Sequence, residues 1–544
     1  MGHVQYWRQK LLGCFGATLV VFGLPYLMQE PLLNLYGGWD EQGQRQQQLI
    51  AFYGLDRSLP EQYGIWLYRM LSGQWGDSRF YSRSVWHDAW RAMGQTLVLI
   101  SWTLLVIAAW IWLWAILSRW RRPPQTYWCS TGLFLMLLLP NFVVAILVRD
   151  LLLWRFGWLS MAHMPTFVPF YLLNPVYMSV PAVLLALVPC TVWTLVYLKP
   201  GSRRPVVISK AITHFCRRCR PLLAGMLFEL FLLEQILSMP GLGRMGIAAL
   251  KRHDIPMLQG FILCTIILYL VLGLLLDWGA KQRWPPPAWL TASGSAISCR
   301  VVPRQPVPSK QRYQGILGLL LLLALTIWTP QLSPYDPSEI HSDDQLLRVG
   351  YRYILGTDFL GRDVLSRTLS GCRAEVPRSW LIMILAGSAG SLIIYFRRYI
   401  PRWLWPMLRG CAAVYHMLPS FLFVFLIFLI VDPSPWSLEI SLLLGLLPST
   451  LYLLSRRRPL AERILSLARV GGEALLLLVI FHFLNLVPDV VNPTWGSELR
   501  MGMTYSQSNA WLLVGPAVAL LWGYYSFYLT GLVRIVPQRR TKMP

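Results

Sequence analysis

The run Leu355-Gly-Thr-Asp-Phe-Leu-Gly-Arg-Asp-Val-Leu-Ser-Arg367, preceded by Ser333-Pro-Tyr-Asp-Pro337, holds the densest set of groups capable of specific chemistry. Gly356, Thr357 and Asp358 suit a turn leading into a helix, because Thr and Asp oxygens accept from the orphan N–H groups of a first helical turn. Asp358, Arg362, Asp363 and Arg367 recur at i, i+4, i+5 and i+9, which permits ion pairs along one helical face. Two readings of these residues stand side by side: a specific outer loop including Gly361, or a salt-bridged amphipathic helix lying on the membrane surface. A second set is ionisable and embedded in apolar runs: Glu229, Glu234, His416, Glu439, Glu473 and His482. Charge there is costly, so each calls for a partner or a pathway. Pairing inside a bundle suits Glu439 and Glu473 near span ends, and Glu234, His416 and His482 are the candidates for a pathway. Two histidines without carboxylate or thiol company make a weak metal site, and none is assigned.

Other chemistry is missing from the sequence. No G-x-x-x-x-G-K-[ST] loop occurs, so the chain has no phosphate cradle for ATP and is read as binding no cofactor. Cys216-Arg-Arg-Cys219 lacks a second pair at zinc-site spacing and is read as two thiols near a helix end. No nucleophile and base stand at a telling spacing, which argues against an intramembrane enzyme.

The elements that must position these groups follow from composition. The 544 residues are 55% hydrophobic and 14% charged, against about 25% charged in ordinary soluble domains. That excludes a soluble globular enzyme and a disordered chain alike. Lys and Arg number 49 against 25 Asp and Glu, a net charge of +24. The basic residues sit in short loops between apolar runs, so membrane topology and lipid headgroups explain them and nucleic acid does not.

Apolar runs fall near 11–28, 96–117, 131–148, 181–198, 221–237, 257–277, 314–329, 381–396, 411–431, 438–454, 471–488 and 511–533. At roughly 20 residues per span they predict an all-α polytopic membrane protein of about twelve transmembrane helices, the first an uncleaved span. The excess of Lys and Arg on alternate loops, such as Arg456, Arg457, Arg458, Arg463 and Arg469 against Glu462 alone, puts both termini in the cytoplasm. A stretch from 281 to 313 with Trp284-Pro-Pro-Pro287, Pro303, Pro306 and Pro308 reads as a cytoplasmic linker. It separates 1–280 from 314–544, two six-helix halves that are parallel in orientation. The long outer segments, about 29–95 and 330–380, each follow the first span of a half, and Cys372 falls in the second of them.

The 355–367 run closely resembles the GTD-x-x-GRD-x-x-SR signature of the C-type permease in the dipeptide/oligopeptide/nickel family of ABC importers. The first half is similar to the family's B-type permease at three places. They are Gly54-Leu-Asp-Arg-Ser-Leu-Pro-Glu-Gln-Tyr63 followed by Trp66, Gly73 and Gly76, then Glu234-Gln-Ile-Leu-Ser-Met-Pro-Gly-Leu-Gly-Arg244, which includes Pro240, Gly241 and Gly243, and finally Asp254 to Gln259. Asn492-Pro-Thr-Trp-Gly-Ser-Glu-Leu499 resembles the family's PSWG-x-x-L turn. The resemblance implies a type I ABC importer permease fold, with a B-type half (1–280) and a C-type half (314–544) fused in one chain. It further implies two partner ATPase subunits that hold the ATP, a periplasmic binding protein, the bacterial inner membrane, and peptides, nickel or a metal chelate as cargo.

The chain departs from the family between the fourth and fifth spans of each half, where an EAA-x-x-x-G-like loop docks the ATPase. Lys199–Arg220 and Ser455–Gly472 are short against that pattern. Their His214, Arg217, Arg220, Arg458 and Arg463 serve either ATPase docking or attraction to anionic lipid. The short loops keep open a second function, a degenerate permease acting as a membrane sensor or scaffold. An ion-coupled secondary transporter would rest on the buried carboxylates alone.

Overall fold

A chain this apolar must satisfy its backbone polar groups internally, and helices do so segment by segment. The computed structural model describes residues 15–16, 18–23, 25–26, 44–80, 83–120, 140–156, 175–197, 208–281, 309–396, 399, 420–431, 434, 436–454, 459–487, 493–506, 509 and 511–531. In chain order the helices are α1 (Gln44–Tyr53), α2 (Leu59–Leu71), α3 (Val85–Trp120), α4 (Asn141–Phe156), α5 (Pro175–Tyr197), α6 (Ile208–Cys219), α7 (Leu223–Ile236), α8 (Leu242–Lys251) and α9 (Ile255–Lys281). They continue with α10 (Ser309–Leu332), α11 (Val364–Phe396), α12 (Ser420–Ile430), α13 (Ser437–Leu454), α14 (Leu460–Ser466), α15 (Ala468–Phe483), α16 (Trp495–Tyr505) and α17 (Trp511–Thr530). The described residues are all-α, as expected of a polytopic membrane protein.

Every apolar run read from the sequence carries helix in its described part. Among the described residues six helical stretches are long and apolar enough to cross a membrane: Val85–Leu113, Ile255–Lys281, Arg312–Leu332, Val364–Phe396, Leu460–Phe483 and Trp511–Thr530. Met178–Thr194 and Ser437–Leu451 are shorter apolar helices.

Two compact units form, one of Met1–Pro285 with Pro401–Ser434, the other of Pro286–Ile400 with Pro435–Pro544. The division near 285 falls within the Pro-rich linker, whereas the segment holding α12 groups with the first unit. There Phe421 of α12 stacks on Phe228 of α7, with ring centroids 4.9 Å apart. In the second unit Gly315 and Gly318 of α10 face Thr530 and Ser526 of α17, so small side chains line a close helix seam.

The outer segments differ from the plain loops expected of them. Residues 44–71 carry α1 and α2, and α3 already begins at Val85. A capping box starts α2, with Ser58 N–H donating to Glu61 Oε2 at 3.1 Å. In the second unit α11 starts at Val364, so Cys372 lies inside this helix and is buried.

One substructure occurs in both units. Gly76 and Gly356 hold left-handed backbone, at φ of 80° and 77°. Antiparallel bridges then join Asp77 to Ser84 and Thr357 to Asp363. Ser78 N–H donates to Arg83 O at 2.9 Å, as Asp358 N–H does to Arg362 O at 3.0 Å. Val85 N–H closes onto Gly76 O at 3.0 Å, and Val364 N–H onto Gly356 O at 3.1 Å. Each turn therefore feeds the first residue of a long apolar helix, α3 or α11.

Candidate functional site

In the second unit the signature residues build a buried ionic turn and not a helix lying on a surface. Asp358 Oδ1 accepts from Leu360 N–H at 2.9 Å and Arg362 N–H at 3.0 Å, and its Oδ2 accepts from Arg362 Nε at 2.8 Å. This i,i+4 pair closes a turn, because Gly361 at φ 79° reverses the chain against the carbonyl of His341, where a Cβ has no room. Thr357 Oγ1 accepts from Leu347 N–H at 2.8 Å and donates to Asp344 O. Asp363 caps α11, its Oδ2 accepting from Ser366 N–H at 2.8 Å and Ser366 Oγ at 2.6 Å. The surface-helix reading fails because Asp358, Asp363 and Arg367 are all buried.

Arg367, in the first turns of α11, ties three segments together. Its Nε and Nη2 donate to Glu498 Oε2 and Oε1 at 3.1 and 2.6 Å, the two-pronged geometry that suits a guanidinium. Its Nη1 donates to Pro337 O at 2.9 Å, and Nε lies 3.7 Å from Asp358 Oδ2. Pro337 closes the Ser-Pro-Tyr-Asp-Pro segment, and Glu498 sits on α16 within the Pro-Thr-Trp-Gly stretch. Beside it Trp495 fills the space left by Gly371, and its indole N–H donates to Thr368 O at 2.9 Å. Three stretches noted separately in the sequence thus form one cluster.

Burial also governs Tyr353 in this outer region. Its hydroxyl donates to Asp344 Oδ2 at 2.8 Å, and Asp344 pairs with Arg352 at 3.1 Å. Burial, then the hydrogen bond to Asp344, push the Tyr353 hydroxyl up to about 12.

A second arrangement, repeated in the two units, places polar groups at the N-terminus of a short helix. In the first unit Leu242 and Gly243 open α8 just after Pro240-Gly241. Leu242 N–H donates to Thr96 Oγ1 at 2.9 Å, and Gly243 N–H to Glu234 Oε2 at 2.6 Å. Thr96 Oγ1 donates in turn to Glu234 Oε1 at 2.6 Å, so both oxygens of this buried carboxylate are engaged. In the second unit Gly496, the second residue of α16, donates to Glu375 Oε1 at 3.4 Å. His482 of α15 approaches the same oxygen at 3.7 Å, while its Nδ1 lies 2.8 Å from Leu478 O. A carboxylate here complements the positive end of the helix in both units.

The carboxylates come from different helices. Glu234 is on α7, which precedes its short helix directly, whereas Glu375 is on α11. Glu375 stands eleven residues after Val364, and Thr96 eleven after Val85. The helix before α16 carries no such glutamate, and Glu375 fills the place from the neighbouring helix. Sequence reasoning missed Thr96, Glu375 and the role of Glu498. The signal for the first two was their shared register from the starts of α3 and α11.

A similar contact anchors the start of α9. Ser78 Oγ donates to Asp254 Oδ2 at 2.5 Å, and Asp254 Oδ1 accepts from Met257 N–H at 3.2 Å. The first-unit turn is thereby tied to the Asp254–Gln259 stretch, with a hydroxyl where the second unit has Asp358.

On the side of α6, the short loop folds into an amphipathic helix. Ile212 and Phe215 pack on Trp193, while Arg217 and Arg218 are exposed. Arg217 Nη2 donates to Ala280 O at 3.4 Å. Arg220 turns inward, pairing with Asp277 at 3.3 Å and donating to Tyr269 hydroxyl at 3.0 Å. Burial pushes the Cys219 thiol up to about 12, so this C-x-x-C is not an activated pair. In the second unit the corresponding segment holds α14, of seven residues, with Arg463 half-buried. The side chain of His214, together with His416 and Arg458, lies outside the described residues.

Known proteins are similar to this chain in sequence. Residues 206–282, from α6 to α9, match the family described as binding-protein-dependent transport system inner membrane component. The chain is 24% identical over 253 residues to the di/tripeptide transport system permease protein DppC of Pseudomonas aeruginosa, covering 40% of this chain and 84% of that protein. It is 26% identical over 205 residues to the dipeptide transport system permease protein DppC of Haemophilus influenzae, covering 36% and 66%. Over 254 residues it is 24% identical to the dipeptide transport system permease protein DppC of Escherichia coli K12, covering 40% and 84%. With its apolar spans, this multi-pass inner-membrane chain resembles the permeases of binding-protein-dependent importers, and its named relatives are dipeptide permeases.

Proposed function

We propose that this single chain supplies both permease halves of a peptide importer, a B-type half in 1–280 and a C-type half in 314–544. The observation that carries the reading is the repeated substructure, in which the turns at Gly76 and Gly356 feed α3 and α11, and polar groups at the same register meet the N-termini of α8 and α16. Two partner ATPase subunits bind and hydrolyse ATP, and the chain itself takes no cofactor. A periplasmic binding protein delivers cargo to the outer turns. Both termini lie in the cytoplasm, in keeping with the basic inner loops. The exposed Arg217 serves ATPase docking in the first half and Arg463 in the second, with His214 and Arg458 as further candidates by sequence. Arg220 supports the first of these from within through Asp277.

Peptides are favoured over nickel because the relatives named above are di- and tripeptide permeases. Glu234 and His482 serve the pathway indirectly in this reading, by fixing the helices around it, with His416 as the remaining candidate for contact with cargo.

The test is to tag the chain, purify it gently with its native neighbours, and measure ATP-dependent uptake of labelled dipeptide and of nickel in reconstituted vesicles. Stoichiometric ATPases with dipeptide uptake support the reading. Nickel uptake alone overturns the choice of cargo. A chain recovered alone, under conditions that keep a known importer of this family intact, favours the sensor or scaffold, for which the seven-residue α14 is the relevant observation.

A further inference from the structure

Glu229 lies on α7, five residues before Glu234, which sets it about 140° away around the helix. It is thus directed away from the α8 cap. Among the described residues Asn141 alone holds it, with Nδ2 donating to Glu229 Oε2 at 2.7 Å. Among the described residues Glu229 makes no ion pair. Arg149, on the same helix as Asn141, is two turns further along, about 12 Å up the axis. Asn141 is itself almost fully buried, at 3% exposure, yet among the described residues its Oδ1 has no hydrogen-bond donor. A carboxylate oxygen and a carbonyl oxygen therefore stand together with lone pairs unused. That acceptor set fits a group rich in N–H and positive in charge.

Glu229 is half-buried and open on one side, whereas Asn141 Oδ1 is enclosed in this conformation. Leu223, Leu227, Leu230 and Phe231 bury one side of α7. Leu222 and Gly225 are exposed and Glu229 is half-buried, which places all three on one stripe. A Cβ added at Gly225 would meet nothing within 4 Å, so space is open beside the stripe. A carboxylate on an open stripe of an apolar helix is not tolerated against lipid, and such groups face protein or a water-filled path.

We infer that Glu229 and Asn141 form a cation-binding station in the first unit that receives the N-terminal ammonium group of a transported peptide. This rests on the peptide-permease reading. The ammonium group donates to Glu229 and to Asn141 Oδ1 and is released unchanged, so no bond is made or broken. The station is weak by construction, one carboxylate and one amide, as a path that must let its cargo leave requires.

The experiment uses the whole transporter in reconstituted vesicles and compares uptake of alanyl-alanine with that of N-acetyl-alanyl-alanine. Glu229→Gln keeps the side chain's shape and removes its charge. It is expected to lower free-amine uptake at least about tenfold, the scale of one charge-assisted hydrogen bond, and to leave any acetylated-peptide uptake unchanged. Glu229→Asp should retain most of the discrimination, and Asn141→Ala should weaken it with Glu229 still present. Immunoblots of the membrane fraction establish that each variant is inserted. Equal uptake by wild type and Glu229→Gln overturns the inference, as does an equal loss for both peptides. If Glu229→Gln is not inserted, the Asn141→Ala comparison decides, and unchanged discrimination there overturns the station. Wild-type vesicles that take up ATP-driven cargo other than peptide overturn the peptide reading first and this inference with it.

Discussion

Arg367 and Glu498, 131 residues apart in the chain, form a buried two-pronged ion pair at 2.6 and 3.1 Å. It joins the start of one membrane helix to the short helix preceding another. The pair's worth lies in what happens when one member is lost, since the other charge then stays buried without its two-pronged partner.

Arg367→Ala or Glu498→Ala should each lower the stability of the detergent-solubilised protein by about 3–5 kcal/mol. The double variant should cost clearly less than the sum of the two. Thermal unfolding of all four proteins gives the cycle, and strict additivity would refute the coupling.

Gly361→Ala places a Cβ against His341 O at a residue whose φ is 79°. The strain should be about 1–3 kcal/mol, confined to the outer turn. Limited proteolysis from the outer side should cut residues 333–363 faster in the variant, with the rest of the chain unaffected. Wild-type cutting rates would show that the turn can relax.

Tyr353 gives the outer turn a dependence on alkaline pH. Its hydroxyl is raised from 10.0 to about 12, so the protonated form is the one the fold stabilises. The contribution is complete below pH 10.0, where folded and unfolded hydroxyls are both protonated, and is lost as pH rises through about 12. Protease susceptibility of the turn should rise in that window, and Tyr353→Phe should flatten the rise. An unchanged profile in the variant would assign the effect to another group.

Thr96→Ala leaves Leu242 N–H and one oxygen of Glu234 without a partner. The expected cost is about 1–3 kcal/mol, visible as a lower unfolding temperature. Thr96→Ser should restore most of it. A Thr96→Ala protein as stable as wild type would mean that α8 has another cap.

The fold was legible because apolar run length is a local property, and each run read from the sequence carries helix. The outer signature was legible as a set, yet its shape was not. The i, i+4, i+5, i+9 spacing suggested one helical face, whereas Gly361 breaks the helix, and the partner that holds Arg367 is Glu498, 131 residues away. Hydrogen bonds of that kind leave no periodic trace. The short inner loops looked stripped of a motif, but Ile212 and Phe215 give α6 an apolar face and so a place to dock on Trp193. The grouping of α12 with the first unit had no signal either, since ring stacking such as Phe228 on Phe421 depends on where two spans meet.

The two capped helices obtain their acid in different ways. One keeps its acidic group on the helix that leads into it, and the other draws an equivalent charge from Glu375, more than a hundred residues earlier in the chain. The field at a helix end depends on where the acid stands and not on which segment carries it. Followed in residue order, the segment leading into α16 brings no acid to its cap, while followed in space Glu375 stands there.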